Sequence, residues 1–320
     1  MPLTDVITTA EPVTVPPVTV AVIGTGAIGQ DLVSKIHRSP VLECGLVAGR
    51  DPESAGLRHA ARLGCPTSTD GIGAILAASR PFAVVFDATN AMSHPEHGRL
   101  LRPLGTLLID LTPSKVGQMV VPTVTGAGTA EALAAVRGGA PAGRDISLIS
   151  CGGQASIPVA HALAGRFEVR YLEVVSTVAS TIAGRATRLN LDEYVATTQH
   201  ALTAFTGVRE NKAILNISPA VPPATFRTAV HAVIPDADAE VVRAVVAEAA
   251  EGVRAHQPGY RVTACTVHGE RVAVSLEVTA DSEVLPRYAG NLDIIDSAAI
   301  LVAEQYVARL AAAAGTGVAR

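Results

Sequence analysis

Two short stretches of this chain carry residue types and spacings that could do chemistry together. In Ile149-Ser150-Cys151-Gly152-Gly153-Gln154-Ala155-Ser156-Ile157-Pro158, a lone cysteine ends a short apolar run, Ser147 to Ile149, and two glycines follow it. Far upstream, Gly24-Thr25-Gly26-Ala27-Ile28-Gly29 has the spacing of a dinucleotide-binding turn. A thiolate attacks carbonyls, and a nicotinamide carries hydride. The pair points to oxidation or reduction of an aldehyde through a thioester.

Each stretch needs elements to hold it. Val18 to Ile23 reads as a buried strand before the glycine turn, and Ile28, Leu32, Val33 and Ile36 form an apolar helical stripe after it. In that setting Gly24 permits a tight turn, Gly26 lets the backbone approach a pyrophosphate, and Gly29 lets helix and strand pack closely. The helix start offers free N–H groups and partial positive charge to phosphates. A ribose-reading acid belongs about 20 residues on, and Asp51 stands there. Arg50 beside it could stack on adenine or pair with a 2′-phosphate. NAD is the first expectation and NADP the alternative.

Around Cys151, the two glycines leave no side chain to block access. Pro158 is tolerated in a first helical turn, so a helix start is expected nearby. A thiol at a helix start has its pKa lowered. Backbone N–H groups and the Gln154 amide could hold a developing oxyanion. Cys44 and Cys265 lie inside apolar strands and read as core, and Cys65, before Pro66, reads as structural. The spacing shows no C-x-x-C pair and no His/Cys cluster, so no metal site is expected. Reduced thiols in the cytoplasm are the expected state.

The 320 residues suffice for two domains. Hydrophobic residues make up 48% and charged residues 17%, which implies a mostly folded chain. A net charge of −4 provides no basic footprint for nucleic acid. Residues 1–17 lack the basic start and apolar core of a signal peptide and read as a flexible tail. No uninterrupted apolar stretch reaches membrane-spanning length. Further strands are expected at Leu42 to Ala48, Phe82 to Phe86 and Thr106 to Leu111, alternating with helices, which implies an α/β fold with a doubly wound parallel sheet of Rossmann type. After Cys151 the texture changes. Long strands at Val169 to Val178, Phe226 to Ile234, Arg261 to Val267 and Arg271 to Val278, with helices between, suggest a second, antiparallel α+β domain. Asn291 to Ala314 reads as one long helix.

The chain also resembles a known family, the bacterial acylating acetaldehyde dehydrogenases. The likeness is carried by the glycine turn from Ile23 to Gly29, Phe86-Asp87-Ala88-Thr89, Ile109-Asp110-Leu111-Thr112-Pro113, Cys151-Gly152-Gly153-Gln154-Ala155, Ala183-Gly184 with Thr187-Arg188 and Asn190, Asp192-Glu193, and Tyr288-Ala289-Gly290-Asn291-Leu292-Asp293-Ile294. The resemblance implies interconversion of acetaldehyde and acetyl-coenzyme A with NAD, in partnership with an aldolase, and a homodimer. By it, Cys151 matches the nucleophile. Thr25, Gly26, Ala27 and Ile28, the run Ile182, Ala183, Gly184, Arg185, Ala186, Thr187, Arg188, Leu189 and Asn190, and Asn291 match cofactor contacts. It also implies that the last helix returns to the first domain, giving a dinucleotide-binding domain of 18–150 plus 287–320 and a catalytic and dimerisation domain of 151–286.

Three departures stand out. The family's Gly-Pro-Gly turn is Gly184-Arg185-Ala186 here. Its usual Arg-Asp-Thr, whose aspartate is the proposed base for the cysteine, is Arg227-Thr228-Ala229. His231 is a chemical substitute, but on a strand it would point to the face opposite Thr228. The hairpin around Gly269 is shorter than in typical members, which bears on the acyl pocket and the aldolase contact. The remaining histidines show no ligand spacing and read as surface or helix-end residues. The sequence leaves two rival readings open: a phosphorylating semialdehyde dehydrogenase, and a catalytically silent nucleotide-binding partner of an aldolase.

Overall fold

The computed structural model describes residues 17–125 and 144–315. Residues 1–16 of the expected flexible tail lie outside the described residues. The first sheet has seven strands, all parallel: β1 (Val18–Ile23), β2 (Leu42–Ala48), β3 (Thr67–Ser68), β4 (Val84–Asp87), β5 (Leu107–Asp110), β6 (Gln118–Met119) and β7 (Arg144–Ser147), in the order β3-β2-β1-β4-β5-β7-β6. The central strands β1, β4 and β5 are apolar runs because helices cover both faces. On one face Val20, Val22 and Phe86 pack with Leu32, Val33 and Ile36 of α1 (Ala27–Arg38). On the other, Ala21, Ile23 and Val85 pack with Ile75 and Leu101. Those two residues come from α3 (Ile72–Leu76) and α4 (His94–Leu101); α2 (Ala55–Arg62) precedes them and is capped by the Ser54 hydroxyl.

The second sheet follows α5 (Cys151–Arg166). Its strands are β8 (Tyr171–Ala179), β9 (Asn211–Ser218), β10 (Phe226–Val233), β11 (Tyr260–His268) and β12 (Arg271–Val278), in the order β11-β12-β10-β8-β9. It is mixed, a correction to the expected antiparallel arrangement, because β8 and β9 run parallel. Two helices, α6 (Arg185–Leu189) and α7 (Leu191–Thr206), lie between those strands and return the chain to the same starting edge. One face packs on α5, α7 and α8 (Ala239–Arg254) through Ile157, Leu202, Val230 and Val246. Strand β10 alternates, with Phe226, Thr228 and Val230 buried and Arg227 and His231 exposed. The β11–β12 hairpin closes through Gly269 and Glu270, with Gly269 at φ +58°.

The last helix, α9 (Gly290–Gly315), lies against the first sheet, where Ile295, Ala298, Val302 and Val307 share the core of α1. No helix among the described residues is long and apolar enough to cross a membrane. Helices α1 and α9 are joined by a buried charge cluster. The Lys35 ammonium lies 2.8 Å from Asp31 and 2.5 Å from Asp293. Burial alone would lower the Lys35 pKa, but the two carboxylates outweigh it and raise it. Burial, then the nearby Asp31 charge, pushes the Asp296 carboxyl well above its ordinary value. Removing the ammonium leaves the carboxylates without their counter-charge. Lys35→Met is therefore expected to cost about 3 kcal/mol of stability, read as a lower denaturation midpoint.

Candidate active site

The parallel sheet delivers Cys151 to its crevice edge. Strand β7 ends at Ser147, and Leu148, Ile149 and Ser150 carry the chain into α5. Ile149 is buried at φ +68°, a strained conformation for a β-branched residue. Ser150 caps the helix, its hydroxyl accepting from the Gly153 N–H at 2.9 Å. Thr198 donates to the Tyr194 carbonyl at 2.7 Å and lies 2.8 Å from the Ser150 hydroxyl, which locks the cap onto α7. Cys151 is thus the first residue of the helix, and its own N–H and that of Gly152 face the sulfur.

Four expectations change here. Pro158 lies inside α5 rather than in its first turn, because the Ser150 cap fixes the start seven residues earlier. The cysteine is not depressed in pKa: burial pushes the thiol up to about 11 against the pull of Tyr194 and the two N–H groups. The glycines serve packing rather than access. A Cβ on Gly152 would lie 2.0 Å from the Tyr194 hydroxyl, and one on Gly153 would lie 2.9 Å from Ile149. Gln154 spends its amide on the Val120 and Leu148 carbonyls, at 2.8 and 2.9 Å, and does not line the cleft.

The cleft around Cys151 is lined by Thr112, Ile149, Asn190, Tyr194, Leu215 and Asn291, among others. It joins a groove that runs over the glycine turn, and Ile28, Ala88, Thr89, Asn90, Thr187 and Leu292 line both. Gly24, at φ +112°, would put a Cβ 2.4 Å from the Ala88 carbonyl oxygen, and Gly29 would put one 2.1 Å from the Gly24 carbonyl oxygen. A Cβ on Gly26 would meet no atom of the described residues within 4 Å, so this glycine leaves open the space a pyrophosphate would take. The buried Asn291 side-chain oxygen has no partner among the described residues and suits an amide N–H donor. These features fit a dinucleotide.

Gly24, Thr25, Gly26, Ala27, Ile28, Ile182, Gly184, Thr187 and Leu189 line the groove, and Cys151, Thr187, Asn190 and Asn291 line the cleft. Gly29, Asp51, Ala183 and Arg188 line neither. Asp51 accepts from the Glu53 N–H at 2.9 Å, while Arg50 reaches the groove wall. Arg188 binds the Ala183 and Ser180 carbonyls and holds the turn between them. Thr89, Asn90, Asp70 and Tyr194 also border the space, and sequence reading missed them. Thr89 and Asn90 follow the strand end at Asp87, the position from which they could have been found.

Charge sits just behind these walls. The buried His94 ring contacts Asp87 at 2.8 Å and Asp145 at 3.1 Å, with Asp110 at 3.5 Å. His97 reaches Asp87 at 2.8 Å, and buried His59 lies 2.8 Å from the Ser34 hydroxyl. These three histidines are buried, a correction to the surface reading, because paired carboxylates or a hydroxyl satisfy their rings, while His94 and His59 do stand at helix ends as expected. Burial would lower the His94 pKa, but hydrogen bonds to Asp145 and Asp87 raise it to about 10. Burial pushes Asp110 up to about 7, while on Asp87 the two histidines outweigh burial and hold it well below the carboxylate range. Asp87 accepts from the Thr89 N–H and Asp110 from the Thr112 N–H, so the cluster fixes two loops of the site.

A family profile described as the dimerisation region of prokaryotic acetaldehyde dehydrogenase matches residues 151–286. An acetaldehyde dehydrogenase from Streptomyces griseus is 66% identical over 318 residues, 99% of each chain. Another from Pectobacterium atrosepticum is 45% identical over 289 residues, 90% of this chain and 95% of its own. Among solved structures, aspartate semialdehyde dehydrogenase II from Vibrio cholerae, complexed with ASA, matches with a TM-score of 0.62 at 13% identity, over 92% of this chain and 99% of its own. The aspartate semialdehyde dehydrogenase of Candida albicans, solved with NADP, matches at 0.61 and 14%, over 90% and 98%. The last two show a shared fold.

The His94 cluster yields a pH prediction. A histidine whose pKa is raised on folding stabilises fully below its unfolded value, about 6.5. That contribution fades as pH rises through about 10. The melting temperature is expected to fall over this window, and His94→Asn is expected to flatten that fall and lower the melting temperature at neutral pH.

Proposed function

This chain belongs to the acetaldehyde dehydrogenase family, and from that premise we propose that it oxidises a short aldehyde to the corresponding acyl-coenzyme A, with Cys151 as nucleophile. One observation carries the reading: the Cys151 cleft opens directly into the groove over the glycine turn. The thiol loses its proton to solvent, and the sulfur bonds to the aldehyde carbon. A nicotinamide bound in the groove would supply the hydride acceptor, and loss of hydride from that carbon would leave a thioester on Cys151. The coenzyme A thiol then displaces the Cys151 sulfur and carries the acyl group away. The N–H groups of Cys151 and Gly152 are disposed to favour the negative sulfur.

Asn291 and the glycine turn are assigned to the dinucleotide, with Ile182, Gly184, Thr187 and Leu189 covering it. Arg185 and Ala186 belong to the same segment and are assigned with it. NAD is the proposed oxidant. NADP is the alternative, because Arg50 rather than Asp51 lies in the groove wall. No arginine lines the Cys151 cleft among the described residues, which favours an uncharged aldehyde over an anionic semialdehyde. We assign 18–150 with 287–320 to the dinucleotide and 151–286 to catalysis and homodimer formation. The four free cysteines suit work in the cytoplasm, with an aldolase as the proposed supplier of aldehyde.

Purified protein given propanal or acetaldehyde, NAD and coenzyme A is expected to form acyl-coenzyme A and NADH. Cys151→Ser is expected to lower the rate by a factor of about 1,000 or more. Intact mass after exposure to acyl-coenzyme A is expected to rise by one acyl group in the wild type alone. Turnover with phosphate in place of coenzyme A would favour the phosphorylating alternative, and dinucleotide binding without turnover would favour a silent partner subunit.

A further inference from the structure

Tyr194 is 8% exposed, yet among the described residues its hydroxyl has no hydrogen-bond partner. An unsatisfied buried hydroxyl costs about 1–3 kcal/mol, so its position asks for a partner that forms during function. That position is well defined. The ring enters from α7, and its hydroxyl rests over the Gly152 backbone, where any Cβ would lie 2.0 Å away. The Ser176 hydroxyl lies on the same spot, 2.5 Å from that Cβ, and is itself 3.0 Å from the Thr228 hydroxyl. Gly152 therefore makes room for Tyr194 to reach the residue next to Cys151. Both side chains line the same cleft.

The cleft is otherwise poor in groups that could manage a proton. Its described lining holds no carboxylate, imidazole, guanidinium or ammonium; Cys151 and Tyr194 are its ionisable side chains. Thr228 and Ser176 add neutral hydroxyls behind them, and His231 faces the opposite side of β10. A neutral phenol is a donor. A thiol is a weak acceptor and a thiolate a strong one. The orphan hydroxyl thus gains its partner when the sulfur becomes charged.

We infer that Tyr194 is a catalytic residue that donates its phenolic hydrogen to the Cys151 sulfur and favours the thiolate over the thiol. The inference rests on Cys151 being the nucleophile. Burial, and then the charge of the neighbouring sulfur, raise the phenol's pKa well above its ordinary value. It therefore keeps its proton and acts as a donor rather than a base.

Alkylation of Cys151 by iodoacetamide tests this without aldehyde or cofactor, read by peptide mass on the full chain from about pH 6 to about pH 12. Tyr194→Phe is expected to slow alkylation about tenfold near pH 7, one pKa unit, and to close that gap to about twofold near pH 12, toward a common plateau. Where that variant fails to fold, 3-fluorotyrosine at position 194 keeps the shape and makes the phenol more acidic; alkylation near pH 7 should then be faster than in the wild type. Superimposable profiles overturn the inference, and so does slowing by the same factor at every pH, plateau included, which marks a steric role. A wild-type Cys151 that resists alkylation at every pH overturns the nucleophile assignment itself, and the inference with it.

Discussion

The site depends on one cap. The Ser150 hydroxyl accepts the Gly153 N–H and is tied to Thr198 on α7. That bond starts α5 at Cys151 and holds the sulfur at the helix end where backbone N–H groups are free. It also holds Ile149 in a left-handed conformation that a β-branched residue disfavours. Strain of this kind persists only when the surroundings over-determine it. Here Ile149 is packed in the core of the second sheet, and Gly153 has no Cβ to press against it.

The electrostatics separate two regions. Charge is concentrated behind the walls, in the His94 cluster under β4, β5 and β7 and in the Lys35 cluster between α1 and α9. Lys35 pairs with Asp31 and Asp293, and His94 with Asp87 and Asp145, the arrangement that makes burial of charge tolerable, while burial favours the neutral form of Asp296. The cleft itself is lined by apolar and neutral polar groups. A thiol in such a medium resists ionisation. Under the proposed mechanism, the thiolate is favoured by short-range donors, the two N–H groups and a hydroxyl, rather than by a nearby fixed charge.

The elements were readable where local signals were strong. β1 and β2 fall on the apolar runs at Val18–Ile23 and Leu42–Ala48, and α9 spans nearly the segment expected for it. Strand alternation put Thr228 and His231 on opposite faces, and the structure buries the first and exposes the second. The parallel pairing of β8 with β9 was not readable, because strand direction depends on the path between them and periodicity does not record it. Pro158 misled, since a proline in a packed helix reflects tertiary tolerance that local propensity does not include.

By itself the sequence determined the chemical parts: a cysteine set before a glycine pair, a glycine turn between strand and helix, and the blocks that mark the family. Tertiary structure alone decided how those parts are used. It turned Gln154 away from the sulfur, gave both glycines a packing role, moved Asp51 out of the groove wall and buried His94 among carboxylates. It also brought Tyr194, more than forty residues along the chain, over the backbone of Gly152. The reason is range. Turn chemistry and periodicity are fixed by neighbours in the chain, whereas burial, charge pairing and the approach of a hydroxyl to a sulfur depend on atoms that only the folded core brings together.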